Sequence, residues 1–200
     1  MAHHEHSEGD RSGSRQPQRF DPARAARLDD PARLAYLPPD DVLALLAPPH
    51  GSTLLDFGAG TGTYAIELAR RRPDLRVIAL DEQPEMLALL RQKLAAPGAP
   101  GNITPALPGE MEARGQTADR VLALNVLHEM GDVPLRALPR LLAPGGWVLF
   151  VDWNAAVERP VGPPRDHVYA PPEALERLRA LGYHAVSVCE FPYHYALHAS

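Results

Sequence analysis

Apolar residues follow two different spacings along most of this chain, and the two spacings alternate. Some runs are continuously apolar, which predicts strands whose two faces are both covered. Others place apolar residues three or four positions apart, which predicts helices with one buried face. The predicted strands span 52–57, 75–80, 119–125 and 147–153, and the predicted helices span 63–72, 84–94, 132–142 and 173–181. This alternation predicts a parallel sheet with right-handed crossovers and helices on both faces.

Three further strands complete a predicted seven-stranded sheet. The Pro/Gly-rich segment after residue 95 contains one short edge strand at 102–104. The last two runs, 184–190 and 193–198, have no helix between them. They must form an antiparallel pair, because a parallel connection needs a long crossover. The predicted fold is α/β, with a mostly parallel sheet that ends in an antiparallel hairpin.

The chain ahead of this sheet has two parts. Residues 1–19 are polar and rich in Gly, Ser and His, which predicts a disordered tail. Residues 20–50 contain Asp21-Pro22 and Asp30-Pro31, and each pair is typical of a helix N-terminus. Short helices are therefore expected before the main core at 51–200.

Composition and charge narrow the classes of function. The 200 residues carry a formal net charge of −5, which disfavours a nucleic-acid binder held by phosphate neutralisation. Cys189 is the only cysteine, so an intramolecular disulfide, a CxxC motif and a multi-cysteine zinc site are excluded. His3, His4 and His6 lack fixed neighbours, so no metal site is predicted there. No apolar run reaches the roughly 18 residues of a membrane span and no signal peptide is visible, so a cytoplasmic location is expected.

The sequence LLDFGAGTGTY places Gly58, Gly60 and Gly62 between a predicted strand and a predicted helix. Glycine is needed where the backbone turns sharply and lies against a ligand without a Cβ in the way. The amides at the helix start favour polar or anionic groups. Asp81 ends the next strand, about 20 residues on, where a carboxylate can accept two hydrogen bonds from a ribose. These features in this order predict a nucleoside-binding site.

The loop pattern favours one class of nucleoside cofactor. A dinucleotide loop has its third glycine where Thr63 stands here. The D-x-G-x-G-x-G pattern led by Asp56 instead resembles the first motif of class I S-adenosylmethionine-dependent methyltransferases. Three further segments are similar to later motifs of that family: DEQPEML at 81–87, ADRVLALNVLHEM at 118–130 and LPRLLAPGGWVLFVDW at 138–153. A narrower resemblance, over 20–198, is to bacterial and archaeal type 11 methyltransferase-domain proteins.

The resemblance implies a Rossmann-like fold, one methyltransferase domain over 20–200 and a helical lid at 20–50. It also implies S-adenosylmethionine as cofactor and a small-molecule acceptor. Asp56 would hold the α-ammonium group, Asp81 the ribose hydroxyls, and Asn125 would face the methionine end. The other implied cofactor residues are Gly58, Ala59, Gly60, Gly62, Glu82, Gln83 and Met86.

One position departs from the family pattern. The family often has an acid that contacts the adenine amino group shortly before the fourth strand. This chain has Leu107 and Pro108 there, so Glu110 is the candidate to replace that acid, and backbone groups are the alternative.

His128 is the candidate catalytic residue. Methyl transfer needs alignment first, and it needs a base only where the acceptor must lose a proton. His128 follows the fourth strand at the carboxyl edge of the sheet, where ligands bind in open α/β folds. Its ordinary pKa near 6.5 suits a base.

Several aromatic and polar residues are candidates for the acceptor pocket. The chosen four are Tyr36, Asp152, Trp153 and Tyr169, and further candidates are Arg165, His167, Tyr193, His194 and Tyr195. Strand alternation predicts that Tyr193 and Tyr195 share one face and that His194 lies on the other.

Two other functions stay open. A chain that binds the cofactor without catalysis could act through a partner, and a nicotinamide dehydrogenase would use a similar fold. Methylation of nucleic-acid amino groups is disfavoured, because that class usually carries Asn/Asp-Pro-Pro-aromatic where this chain has Asn-Val-Leu-His at 125–128. The sequence predicts neither the acceptor nor the oligomeric state.

Overall fold

The computed structural model describes residues 20–200, so the predicted tail at 1–19, with His3, His4 and His6, lies outside the described residues. Its centre is one seven-stranded sheet in the order β3-β2-β1-β4-β5-β7-β6. The strands are β1 Thr53–Phe57, β2 Arg76–Leu80, β3 Ile103–Ala106, β4 Ala118–Leu124, β5 Leu142–Trp153, β6 Ala185–Glu190 and β7 His194–Ala199. Strands β1 to β5 are parallel, and β7 is antiparallel to β5 and β6. The predicted sheet and its closing hairpin are confirmed.

Helices cover both faces of the sheet. They are α1 Ala32–Tyr36, α2 Pro39–Leu46, α3 Thr63–Arg71, α4 Pro84–Leu94, α5 Pro108–Ala113, α6 Asp132–Ala137 and α7 Pro171–Ala180. One core cluster includes Leu135 of α6 and Leu178 of α7, and the other includes Leu46 of α2 and Leu68 of α3. All five residues of β1 are buried, which explains its mostly apolar sequence. Across residues 20–200, no helix has the length and apolar character that crossing a bilayer requires.

Two elements differ from the sequence prediction. The helix predicted over 132–142 ends at Ala137 and continues as a short 3-10 turn, and β5 already begins at Leu142. Gly146 lies inside this strand beside a register shift with β4, where an added Cβ would come within 2.9 Å of the Ala118 carbonyl oxygen. Helix α5 was not predicted, because its six residues have little apolar periodicity and its start depends on a capping contact.

The N-terminal helices pack onto the glycine loop. The first is a 3-10 helix, Pro22–Asp29, which Asp21 caps by accepting the Ala23 amide. Asp29 at its end accepts hydrogen bonds from the hydroxyls of Thr61 and Thr63 and pairs with the Lys93 ammonium group. The segment before the sheet is therefore fastened directly to the loop that follows β1.

Candidate functional site

The glycine loop connects β1 to α3 and has the conformation that its sequence predicts. Gly58, Gly60 and Gly62 have φ values of +75°, +56° and +76°, in the left-handed region that favours glycine. A Cβ on Gly58 would lie 2.5 Å from Cγ1 of Val126. The loop therefore brings its backbone into contact with the segment after β4, and a larger residue would separate them.

The amides of this loop are largely used within the protein. Gly58 and Ala59 donate to the Leu80 carbonyl, Gly60 donates to Asp81 Oδ2, and Gly62 donates to the Ala59 carbonyl. The Ala65 amide in the first turn of α3 acts on the Asp56 carboxyl and lowers its pKa. One amide at the helix start therefore already faces a carboxylate, and the ligand of this helix start stays a prediction.

Two buried carboxylates lie beside the loop at the ends of neighbouring strands. Asp56 and Asp81 are 3% and 7% exposed. Burial and the charge of Asp81 raise the pKa of Asp56 to about 7, although the Ala65 amide opposes this rise. Asp81 accepts the Gly60 amide on Oδ2 and the Gln83 amide on Oδ1, which fixes its orientation. Paired acids in this position suit a cationic or hydroxyl-bearing ligand.

The residues predicted around adenine occupy different environments. Glu82 is exposed, and Gln83 is half-buried with its side-chain amide donating to the Phe20 carbonyl. Met86 is buried in the protein. Glu110 is exposed, and its carboxylate accepts the Leu107 amide at the start of α5. The structure thus gives Glu110 a capping contact, whereas its contact with adenine stays a prediction.

Asn125 marks the end of β4 with an unusual backbone. Its φ is +58°, which is uncommon outside glycine, and its amide donates to the Val151 carbonyl. Its side-chain oxygen is buried and has no hydrogen-bond partner among the described residues. Strain and an unpartnered polar atom at the carboxyl edge of a parallel sheet are typical of a binding site.

His128 forms a buried pair with Asp152. Its Nδ1 lies 2.7 Å from Asp152 Oδ1, and its backbone amide donates to Asp152 Oδ2. Burial alone would lower the pKa of His128, but the carboxylates of Asp152 and Glu129 raise it to about 10. These two carboxylates therefore favour the protonated imidazole, and a role for His128 as a base stays a prediction.

Asp152 was predicted to line an acceptor pocket; the structure places its side chain against His128, and a role in the pocket stays a prediction. Its side chain is 1% exposed, and its oxygens accept hydrogen bonds from His128 and from the Trp153 amide. Asp152 points towards His128 because the register of β4 and β5 aligns Leu124 with Val151. Asp152 is therefore a positioning residue for His128.

Arg177 is a residue that sequence reasoning missed. Its guanidinium donates to the carbonyls of Leu127 and Met130 and to the Tyr169 hydroxyl. It thereby holds both sides of the turn that carries His128. A signal was present, since Arg177 lies next to the buried Leu178 on an amphipathic helix, where a charge needs a partner.

Four aromatic rings form a cluster on the other face of the same sheet edge. We call it the aromatic cluster; it contains Tyr36, Trp153, Tyr193 and His194. The rings of Trp153 and His194 are 4.0 Å apart, since these residues oppose each other across β5 and β7. The prediction that Tyr193 and Tyr195 share a face is wrong, because Tyr193 precedes β7 and alternation does not apply to it.

The remaining pocket candidates lie nearby but apart from this cluster. Tyr169 packs against the core on the Asp152 side. Arg165 and His167 belong to a short 3-10 turn and do not join the rings. Across residues 20–200, no group of three or more His, Cys, Asp and Glu side chains suits a metal ion.

Comparisons with known proteins give a consistent result. Residues 54–146 match a family model described as a methyltransferase domain. An uncharacterized methyltransferase of Mycobacterium bovis is 36% identical over 127 residues, which cover 60% of this chain and 47% of the relative. A crystal structure of an S-adenosylmethionine-dependent methyltransferase from Aquifex aeolicus aligns with a TM-score of 0.79 and 28% identity, over 90% of this chain and 98% of that one. The chain spans about half the length of the curated relative.

Proposed function

We propose that this chain, which belongs to the class I S-adenosylmethionine-dependent methyltransferases, transfers a methyl group from that cofactor to a small-molecule acceptor. The cofactor would lie against the glycine loop, and the acceptor would lie at the ends of β4, β5 and β7. The observation that carries the proposal is the pair of buried carboxylates, Asp56 and Asp81, beside a loop whose amides are already used.

The chemistry of this site fits S-adenosylmethionine better than a dinucleotide. A dinucleotide places its pyrophosphate at the N-terminus of the helix after the loop. Here Asp56 occupies that N-terminus, so a phosphate there would meet a carboxylate. A ligand with an ammonium group and a ribose instead complements the two acids. The unpartnered Oδ1 of Asn125 adds an acceptor at the same edge.

Each residue then has a proposed role. Asp56 would bind the α-ammonium group and Asp81 the ribose hydroxyls. The backbone from Gly58 to Gly62, including Ala59 and Gly60, would pass beneath the cofactor, and Asn125 would face its methionine end. The adenine contacts proposed for Glu82, Gln83, Met86 and Glu110 remain as the resemblance implies. The cofactor, when bound, supplies an electrophilic methyl group on a positively charged sulfur.

His128 would act as a cation at this site. Because Asp152 and Glu129 hold a proton on its ring, His128 cannot take a proton from a neutral acceptor until it first loses its own. It can attract and orient an acceptor oxygen that already carries negative charge. Arg177 would keep the turn of His128 in place through the Leu127 and Met130 carbonyls.

Calorimetric titration with S-adenosylmethionine and S-adenosylhomocysteine, with NAD as the control, tests the cofactor. We expect both sulfur compounds to bind and NAD not to bind. Asp81→Asn should weaken binding by about tenfold or more, because charge-assisted hydrogen bonds are lost. The matched control is Asp41→Asn, an exposed aspartate of α2, which should bind like the wild type. Binding of NAD alone, or equal affinity in Asp81→Asn, contradicts the proposal.

Methyl transfer itself is measured separately. Incubation with labelled S-adenosylmethionine and a panel of small acceptors should transfer label to at least one of them. Tight cofactor binding with no transfer across the panel would favour the non-catalytic alternative.

A further inference from the structure

Unpartnered polar atoms gather at one edge of the sheet. Within residues 20–200, the buried side-chain polar atoms without a hydrogen-bond partner belong to Asn125, Arg159, His194 and Tyr195. These residues lie at the end of β4, in the connection after β5 and at the start of β7. Buried polar groups are nearly always partnered, so a concentration of exceptions calls for a specific explanation. The edge where they gather is the one at which ligands bind in open α/β folds.

His194 and Tyr195 are the most deeply buried of these residues. The side chain of His194 is wholly buried, and both ring nitrogens lack partners. Burial lowers the pKa of His194 to about 3, and the charges of Arg33 and Arg159 add to this effect while Asp152 opposes it. The ring is therefore neutral, with one N–H donor and one acceptor nitrogen. It packs between Trp153 and Tyr36, at ring distances of 4.0 and 5.8 Å.

Arg159 contributes a fixed cation beside the same rings. Its Nη1 donates to the carbonyls of Val161 and Pro163, and its Cζ lies 5.4 Å from the centre of the Trp153 ring. Its Nη2 is buried and has no partner among the described residues. A surface cleft of about 360 Å³, lined by Glu158, Arg159, Pro160 and Tyr193, opens beside the aromatic cluster.

We propose that Tyr193, His194 and Arg159 recognise the methyl acceptor, and that this acceptor is a flat aromatic molecule carrying an anionic oxygen. This inference rests on the proposed methyl transfer. Tyr193 lines the cleft, and its ring favours a flat acceptor by stacking. The free Nη2 of Arg159 offers a charge-assisted hydrogen bond to an anionic oxygen.

The charges around the aromatic cluster favour an anion over a neutral acceptor. Arg33 and Arg159 both act on His194 as positive charges. The opposing carboxylate, Asp152, is already paired with protonated His128. Glu158 at the rim of the cleft is exposed, so water screens its charge. An ionised acceptor also needs no base, which agrees with a histidine that already holds its proton.

Three probe molecules separate the ring from the charge. Benzoate has both, benzamide has the ring without the charge, and cyclohexanecarboxylate has the charge without the aromatic ring. The Trp147→Phe variant leaves Trp153 as the only tryptophan, so fluorescence reports binding at the cluster. Titrations are run with and without saturating S-adenosylhomocysteine. We expect benzoate to change the Trp153 signal and to bind about tenfold more tightly than either analogue.

Variants assign this preference to the proposed residues. Arg159→Met should weaken the binding of benzoate by about tenfold and leave the binding of benzamide unchanged, since only the charge-assisted contact is lost. Arg136→Met, an exposed arginine of α6, is the matched control and should bind benzoate like the parent. His194→Phe keeps the ring stacking and removes both nitrogens, and it should weaken both aromatic probes.

The outcomes distinguish this inference from the proposed function. Equal affinity for benzoate and benzamide overturns the anionic preference, and equal affinity for benzoate and cyclohexanecarboxylate overturns the aromatic one. No Trp153 response to millimolar benzoate, with S-adenosylhomocysteine still bound in calorimetry, overturns the site. Absence of S-adenosylhomocysteine binding instead contradicts the proposed cofactor, and benzoate binding to the free protein still tests the cluster. Should Arg159→Met fail to fold, the three-probe comparison in the Trp147→Phe parent decides alone.

Discussion

Replacing Asp152 with Asn tests the buried pair on which the role of His128 depends. Asp152 accepts hydrogen bonds from Nδ1 and the backbone amide of His128 and from the Trp153 amide. Asparagine has nearly the same shape but no charge, and its NH₂ group cannot accept a hydrogen bond. The variant therefore removes the attraction between the two side chains while it preserves the volume of the site.

The size of the effect follows from the pKa of His128. Asp152, with Glu129, overcomes the effect of burial and raises that pKa from 6.5 to about 10. Since a tenfold change in proton affinity corresponds to about 1.4 kcal/mol, this rise sets an upper bound of about 5 kcal/mol. Breaking a buried ion pair by removing one partner costs about 3–5 kcal/mol. We expect Asp152→Asn to lower the free energy of unfolding by about 3–5 kcal/mol near neutral pH.

The pH dependence has a definite sign. A histidine whose pKa is raised in the folded state stabilises the fold fully below its unfolded pKa of about 6.5, and this stabilisation is lost as the pH rises through about 10. The stability difference between wild type and Asp152→Asn should therefore be largest near pH 6 and shrink towards pH 10.

Urea unfolding across this pH range measures the difference, and a nitrogen-15 NMR titration gives the pKa of His128 directly. Asp166→Asn, an exposed aspartate after β5, is the matched control and should change the unfolding free energy little. The reasoning is refuted by a His128 that titrates near 6.5 in the wild type, or by a stability difference that does not change with pH.

Three further predictions concern the cofactor and its surroundings. The pKa of Asp56 is raised to about 7, so affinity for S-adenosylhomocysteine, followed by calorimetry, should fall as its carboxylate is protonated between about pH 8 and about pH 6. Lys93→Met removes the ion pair with Asp29 and should speed hydrogen exchange in the first 3-10 helix. The free energy of unfolding should fall by less than about 1 kcal/mol, because both groups are about one-third exposed. Arg177→Met should lower turnover by about tenfold without changing cofactor affinity, because the turn that carries His128 loses its anchor.

Each of these predictions has a control and a contrary outcome. Asp56→Asn should bind S-adenosylhomocysteine weakly at every pH. If the variant kept the wild-type pH dependence of binding, another group would be responsible for that dependence. Arg91→Met, at an exposed position of α4, should leave hydrogen exchange in the first 3-10 helix unchanged. Equal acceleration of exchange in both variants would exclude a specific role for Lys93. Arg140→Met should keep full turnover, whereas unaltered turnover in Arg177→Met would show that the turn holds its own shape.

The strands and the glycine loop were predictable because their signals are local. β1 and the segment 121–124 of β4 are buried on both faces, which explains why their sequences are mostly apolar. The loop needs glycine at Gly58 for reasons that its own backbone determines. Helix α5 has no comparable signal, since a capping contact from Glu110 rather than apolar spacing sets its start.

The contacts of the site were less predictable, because they depend on register. His128 and Asp152 are 24 residues apart and meet only because β4 and β5 are adjacent. The alternation rule failed at Tyr193, since this residue lies in the turn before β7 and its ring direction follows from packing against Tyr36. A residue's type and position suggested candidates, whereas pairing between strands decided their roles.

The end of β5 connects the two halves of the proposed site. Asp152 and Trp153 are consecutive residues of one strand, so their side chains point to opposite faces of the sheet. Asp152 faces His128, and Trp153 faces His194 across β7. A single strand end therefore carries both the His128–Asp152 pair and the aromatic cluster. Because alternation puts the two on opposite faces, His128 and His194 can each be substituted without removing a direct contact of the other.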